Sequence, residues 1–67
     1  MNKFTPAPEN EEFKELAKKH DATDYSSYWA TFQNMTDARR FNNEIYNKLD
    51  IMGKLLQIHG VWGVYTK

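Results

Sequence analysis

The clearest pattern of hydrophobic and polar positions lies between residues 34 and 53. Asn34 or Thr36 is suited to cap a first helical turn, and Asp37 stands three residues after Asn34, as in a capping box. Gly53 is a natural helix end. Between these limits, apolar side chains recur at steps of three and four, at Ala38, Phe41, Ile45, Leu49 and Met52. The segment therefore predicts an amphipathic helix with one face toward a core.

A shorter pattern with a period of two precedes this helix. Tyr28, Ala30 and Phe32 share one parity, and the intervening positions share the other, which is typical of a half-buried strand. We expect Tyr28, Ala30 and Phe32 to face the core. Trp29 then falls on the opposite face, where a large ring would be unusual if that face met only water.

Residues 8–20 predict another helix, with acidic side chains at its start and basic ones at its end, as the helix dipole favours. Its apolar stripe is narrow, so we expect it to cover a core built by other elements. Residues 1–7 are expected to form a flexible arm, which leaves residues 8–67 as one small domain. The connection over residues 21–27 is polar and shows no strong period.

The segment after Gly53 is rich in β-branched and aromatic residues and favours β-structure. One alternative is a single long strand bent at Gly60 and Gly63. Another is a hairpin that turns at His59-Gly60, because His tolerates positive φ better than most residues. A third alternative extends the preceding helix, but each glycine disfavours it by roughly 1 kcal/mol.

Together these elements predict an α+β fold of the order α-β-α-β or α-β-α-β-β. Two helices would pack on a two- or three-stranded sheet. A strand, a crossover helix and a second strand would make the two strands parallel and the crossover right-handed. In outline this arrangement resembles half of a ferredoxin-like domain, an analogy of architecture that implies no function.

Composition limits what such a domain can do. A chain of 67 residues without cysteine has no disulfide to support a small core, so a partner protein or a second copy would add buried area. Nine basic and nine acidic side chains balance, which argues against general affinity for nucleic acid backbones. The polar start of the chain lacks a signal peptide pattern, and no apolar run is long enough to cross a bilayer, so we expect a cytoplasmic protein.

The sequence offers little for catalysis or cofactor binding. His20 and His59 lie in different elements and have no metal-ligand spacing, and no glycine-rich phosphate loop is present. We therefore expect no cofactor and no metal, and we predict that the protein is not an enzyme.

Large side chains on the sheet provide the main candidate site. Trp29, His59, Val61 and Tyr65 are expected on the face away from the helices, where aromatic side chains often anchor protein interfaces. The alternative is that the first helix covers this face and its rings are ordinary core. Aromatic rings at 15% of the residues, in a domain with so little interior, favour the docking surface.

We expect a small non-enzymatic protein-binding module of the inhibitor or adaptor type, a class that includes proteins encoded by phages and mobile elements. It would dock on a larger protein, on itself as a homodimer, or on both. Arg39 and Arg40 at the start of the second helix are candidates for an anionic contact, because the helix dipole disfavours cations there. The competing function is binding of single-stranded nucleic acid by the same aromatic face, with Arg39, Arg40, Lys54 and Lys67 contacting phosphates.

Overall fold

The computed structural model describes residues 11–66, and the predicted arm over residues 1–7 and the predicted helix start at Pro8 lie outside this range. The described residues form two helices and one four-stranded sheet, which confirms the α+β class. In chain order the elements are α1 (Glu11–Lys19), β1 (Asp24–Tyr25), β2 (Trp29–Phe32), α2 (Met35–Leu49), β3 (Lys54–Ile58) and β4 (Val61–Tyr65).

The sheet has the strand order β1-β2-β4-β3, and all neighbouring strands are antiparallel. Since β4 runs opposite to both β2 and β3, these two strands are parallel to each other. The crossover through α2 therefore joins parallel strands, as predicted, but β4 is inserted between them. The insertion completes an antiparallel sheet, which needs no second crossover helix.

The fourth strand is β1, which comes from the stretch that was predicted as a polar connection. It contains only two residues, with Asp24 opposite Thr31 and Tyr25 opposite Ala30. The hydroxyls of Thr23 and Thr31 lie 2.9 Å apart and add a side-chain hydrogen bond beside it. A strand of two residues is too short to produce a visible alternation, so the sequence pattern could not indicate it.

The segment after α2 is a hairpin, which decides between the alternatives for residues 55–66. Ile58 pairs with Val61, and the two residues between them have positive φ, 51° at His59 and 81° at Gly60. Positive φ at both central positions defines a type I′ turn, whose twist matches that of the flanking strands. The helix is not continued through Gly53.

The core lies between the helices and one face of the sheet. Phe41 of α2 is at its centre, with ring centroids 5.1 Å from Phe13 of α1 and 5.1 Å from Phe32 of β2. Its hydrophobic members are all fully buried and come from both helices, β2 and β4: Phe13, Ala17, Ala30, Phe32, Ala38, Phe41, Ile45 and Val64. Ala30 and Phe32 face the core as predicted, whereas Tyr28 precedes β2 and is 38% exposed.

Helix α2 begins as predicted and ends earlier than predicted. The Asn34 side chain accepts a hydrogen bond from the Asp37 N–H at 2.9 Å, so Asn34 is the N-cap. The helix ends at Leu49, and Asp50 closes it in the left-handed conformation with φ 61°. Met52 therefore leaves the apolar stripe and is 76% exposed. Gly53 has a packing role, because an added Cβ would lie 2.6 Å from Val64 Cγ1.

Candidate functional site

The register of the strands defines two faces of the sheet. Ala30 pairs with Val64 and Phe32 with Trp62, so these side chains share the face that packs on α1 and α2. The intervening side chains project from the opposite side, which we call the outer face. Within residues 11–66 no helix lies on it, because both helices contribute to the core on the other side. The outer face carries Asp24, Trp29, Thr31, Lys54, Leu56, Ile58, Val61 and Tyr65.

Trp29 and Tyr65 are directly opposite each other on neighbouring strands at one end of the outer face. Each is partly exposed. The Tyr65 ring lies over Gly63, where an added Cβ would stand 2.9 Å from the Tyr65 hydroxyl oxygen. The Tyr65 ring thus covers Gly63, which has no side chain of its own. The aromatic end of the outer face therefore extends from Trp29 and Tyr65 to the middle of the sheet.

Leu56 and Ile58 form the other half of the outer face and were not among the predicted site residues. They are 47% and 44% exposed, and Ile58 is directly opposite Val61. A single long strand would place them on the face of Trp62, but the hairpin places them with Val61 and Tyr65. The signal that could have identified them is the His59-Gly60 turn, because a two-residue loop fixes which positions pair.

The predicted site residues separate into three places: the outer face, the turn between β3 and β4, and helix α2. Trp29, Val61 and Tyr65 are all on the outer face, as expected, with Trp29 and Tyr65 side by side at one end and Val61 at the other end of β4. His59 instead lies in the exposed turn between β3 and β4, so its side chain does not belong to either face of the strands.

Arg39 and Arg40 lie on α2, which packs on the core side of the sheet. Both are exposed and line a shallow surface with Met35, Thr36 and Asn43. The sheet and the core separate this surface from Trp29 and Tyr65. Of the basic residues that were expected to contact phosphates, Lys54 stands opposite Tyr65 on the outer face, and Lys67 lies outside the described residues.

The most strongly coupled charges surround Glu44 on α2. Its carboxylate oxygens lie 2.6 Å from His20 Nε2, 3.0 Å from Lys19 Nζ and 3.0 Å from Lys48 Nζ. The hydrogen bonds from His20, Lys19 and Lys48, in that order of importance, lower the pKa of Glu44 to about 2. A carboxylate this acidic stays ionised at neutral pH, so it is poorly suited to proton transfer and instead connects the end of α1 to α2.

Glu12, Glu15, Leu16, Lys48 and Leu49 line an open groove of about 410 Å³ between the two helices. Residues 11–66 contain no group of three or more His, Asp or Glu side chains placed to hold a metal ion. Neither of the two helices in that range is long and apolar enough to cross a membrane.

A scan against protein-family models found no match, and searches of the curated proteins and of the solved structures found none either.

Proposed function

We propose that this chain is a small protein-binding module, of the inhibitor or adaptor type, that docks a partner protein through the outer face of its sheet. The observation that carries this proposal is the apolar surface made by Trp29, Leu56, Ile58, Val61 and Tyr65, on which no helix of residues 11–66 packs. Soluble domains seldom leave such a group of large side chains contiguous and uncovered unless it contacts something else.

The composition of the outer face indicates the kind of partner. Its strand residues are mostly apolar or aromatic and include one threonine, Thr31, one acidic side chain, Asp24, and one basic side chain, Lys54. The two charged residues belong to the opposite edge strands β1 and β3. We therefore expect an apolar patch on the partner, with its own flanking charges reversed so that the complex has one orientation.

Trp29 and Tyr65 are the expected anchors of this interface. Aromatic side chains contribute large contact areas with few rotatable bonds, and they dominate measured interface energies. Truncating Trp29 to alanine should weaken partner binding by about 2 kcal/mol, a typical cost for a central aromatic residue.

Single-stranded nucleic acid is the second candidate, favoured only by the position of Lys54 opposite Tyr65. Stacking of bases on rings usually requires a line of cations along the phosphate chain. Arg39 and Arg40 are on the other side of the sheet, so they cannot contact the same strand of nucleic acid as Trp29 over a short path.

The proposal is tested by capturing a partner with the full chain and comparing two matched surface variants. Ile58→Ser changes an outer-face side chain that is 44% exposed, and Tyr46→Ser changes a side chain on α2 that is 55% exposed. We expect Ile58→Ser to weaken binding of the captured protein at least about tenfold, and Tyr46→Ser to leave it unchanged.

Two results would reject the proposal. One is a partner whose affinity falls with Tyr46→Ser and not with Ile58→Ser. The other is salt-dependent binding of oligonucleotides by the wild-type chain that Trp29→Ala abolishes, because that result would assign the outer face to nucleic acid.

A further inference from the structure

The two edges of the sheet differ in a way that indicates a second copy of this chain as a binding partner. One edge is β1, which has two residues and an exposed aspartate, Asp24. The other edge is β3, which has five residues, K-L-L-Q-I, and contains neither proline nor an acidic side chain. The one charge of β3, Lys54, lies at its first position, so the other four residues form an uncharged edge that can serve as a template for another strand.

The hydrogen bonds of the sheet identify which groups β3 presents at its open side. The carbonyls of Trp29 and Thr31 accept hydrogen bonds from Ser26 and Thr23, so these residues face β1. Alternation then turns Ala30 and Phe32 toward β4.

The same alternation continues through the next strand. Trp62 and Val64 face β2, and the remaining residues of β4 face β3. The main-chain groups of Leu55 and Gln57 therefore point out of the sheet at its edge. No strand within residues 11–66 lies on that side of β3.

We propose that two copies of this chain pair through their β3 strands, antiparallel and related by a two-fold axis at Leu56. In this register Leu55 exchanges main-chain hydrogen bonds with Gln57 of the second copy, and Gln57 does the same with Leu55. The whole of β3 is paired, with Lys54 opposite Ile58 of the second copy. Registers centred on Leu55 or Gln57 would leave part of the strand and some of these groups unpaired.

Several properties of the chain favour a second copy over an unrelated strand. An antiparallel edge is self-complementary under a two-fold axis, so one sequence supplies both sides. The chain has no net charge, and so two copies do not repel each other at long range. Once the two β3 strands are paired, the sheet edges that remain are the two β1 strands. Each β1 has only two residues to pair with another copy, so the assembly closes as a dimer.

The inference deepens the proposed function and rests on its premise that this sheet binds protein. Pairing at β3 joins two outer faces into one continuous surface, with two Leu56 side chains in contact at its centre. Lys54 extends its apolar stem beside Ile58 of the second copy and keeps its ammonium group in water. The dimer therefore presents two copies of the Trp29 and Tyr65 pair on one side.

The absence of natural cysteine allows a direct test of the register. Leu56→Cys would place two sulfur atoms at the axis, where the Cα atoms of a non-hydrogen-bonded pair are about 4.5 Å apart. Ile58→Cys is the matched control, because Ile58 is similarly exposed but would lie about 13 Å from its own copy. Disulfides require Cα atoms within about 7 Å. We expect Leu56→Cys chains to cross-link at least about tenfold faster than Ile58→Cys chains under the same oxidant.

Sedimentation equilibrium of the full chain provides the second arm. We expect the wild-type chain to reach twice its mass of 7.9 kDa. Gln57→Pro removes an N–H that points out of the sheet, a substitution that an edge strand tolerates, and should weaken the dimer at least about tenfold. Gln57→Thr keeps the N–H and should retain the dimer. Circular dichroism checks that both variants are folded. If Gln57→Pro does not fold, the comparison of Leu56→Cys with Ile58→Cys cross-linking decides whether the dimer forms.

Each other outcome overturns the inference in a distinguishable way. A chain that stays monomeric and does not cross-link has no β3 dimer, although the captured partner with its Ile58→Ser and Tyr46→Ser variants can still support the proposed function. Equal cross-linking of the Leu56→Cys and Ile58→Cys chains indicates face-to-face association. A monomer whose captured partner is lost with Gln57→Pro indicates that a strand of another protein occupies the edge.

Discussion

The two faces of one sheet have opposite properties although they alternate along the same strands. On the helix side, Ala30, Phe32 and Val64 are fully buried in one core cluster with side chains of α1 and α2. On the outer face, Leu56 and Ile58 are exposed by nearly half. Both sides carry large apolar side chains, so hydrophobicity alone does not distinguish them. What distinguishes them is that α1 and α2 pack on one side, so we expect most of the stability to come from that side, and within residues 11–66 no helix packs on the other.

The largest expected effect is on the helix side. Phe41→Ala would remove the ring that contacts Phe13 and Phe32, and the cavity should lower the free energy of unfolding by about 3–5 kcal/mol. That loss is comparable to the whole stability of a domain this small. Urea unfolding followed by circular dichroism measures it, with Phe41→Leu as the milder control. A loss below 1 kcal/mol would contradict the assignment of Phe41 to the centre of the core.

Two neighbouring leucines in β3 allow a matched comparison of the faces. Leu55 packs against the core and Leu56 belongs to the outer face. We expect Leu55→Ala to lower the free energy of unfolding by about 2 kcal/mol. Leu56→Ala should change it by only about 0.5 kcal/mol, because Leu56 is 47% exposed and lies outside the buried core.

Both variants are measured by denaturant unfolding at concentrations where the chain is monomeric, since association would add stability to the wild-type chain. If Leu56→Ala were the more damaging substitution, the strand register and the definition of the outer face would both be wrong.

A smaller effect is expected where the Tyr65 ring covers Gly63. An alanine at position 63 would force the ring aside, at a cost of about 1 kcal/mol, and would disturb the aromatic end of the outer face. The cost should fall in a Tyr65→Ala background, because the two residues act on one contact. A double-mutant cycle of unfolding free energies tests this coupling, and additive costs would show that the ring does not limit the space at Gly63.

The smallest expected effect lies outside both faces, at Glu44. Its carboxyl has a pKa of about 2 in the folded chain against an ordinary value of 4.5. Between these values the unfolded chain binds more protons than the folded one, so the contribution of Glu44 to stability is complete above about pH 5 and is lost as the pH falls toward 2. Lys19 and Lys48 are exposed by more than half, so solvent weakens their contribution.

Glu44→Gln should remove this part of the pH dependence. Unfolding free energies of the wild-type and variant chains from pH 7 to pH 2 measure it, with Glu12→Gln on the exposed side of α1 as the control. The two curves should converge as the pH falls. Parallel curves would mean that Glu44 has the same pKa in the folded and unfolded chains.

The sequence predicted the elements whose patterns extend over several turns or residues. The stripe from Ala38 to Leu49 identified α2, and the parity of Ala30 and Phe32 identified the buried side of β2. Asn34 was among the two predicted caps because its side chain suits the first turn. These features are local, so nearby residues determine them.

Sequence reasoning missed one local feature, the end of α2, and two features that depend on contacts between distant segments. Asp50 ends α2 although it is not a glycine, because its left-handed conformation turns the next N–H, that of Ile51, back to the Ile45 carbonyl. The membership of Leu56 and Ile58 in the outer face follows from the choice of a hairpin over one long strand. Placement of Arg39 and Arg40 away from Trp29 follows from which side of the sheet α2 covers. The residues of one helix or strand alone do not determine either the pairing of β3 with β4 or the side of the sheet on which α2 packs.

The position of β4 has a consequence for how the chain reaches its fold. It is the last of the four strands of residues 11–66 in chain order but lies between β2 and β3, where it is the inner neighbour of both. Until Tyr65 has left the ribosome, the two parallel strands have a gap between them and Phe32 lacks one side of its packing. We therefore expect this sheet to assemble in one step and only after all four strands have been synthesised, with the turn at His59-Gly60 pairing β4 with β3.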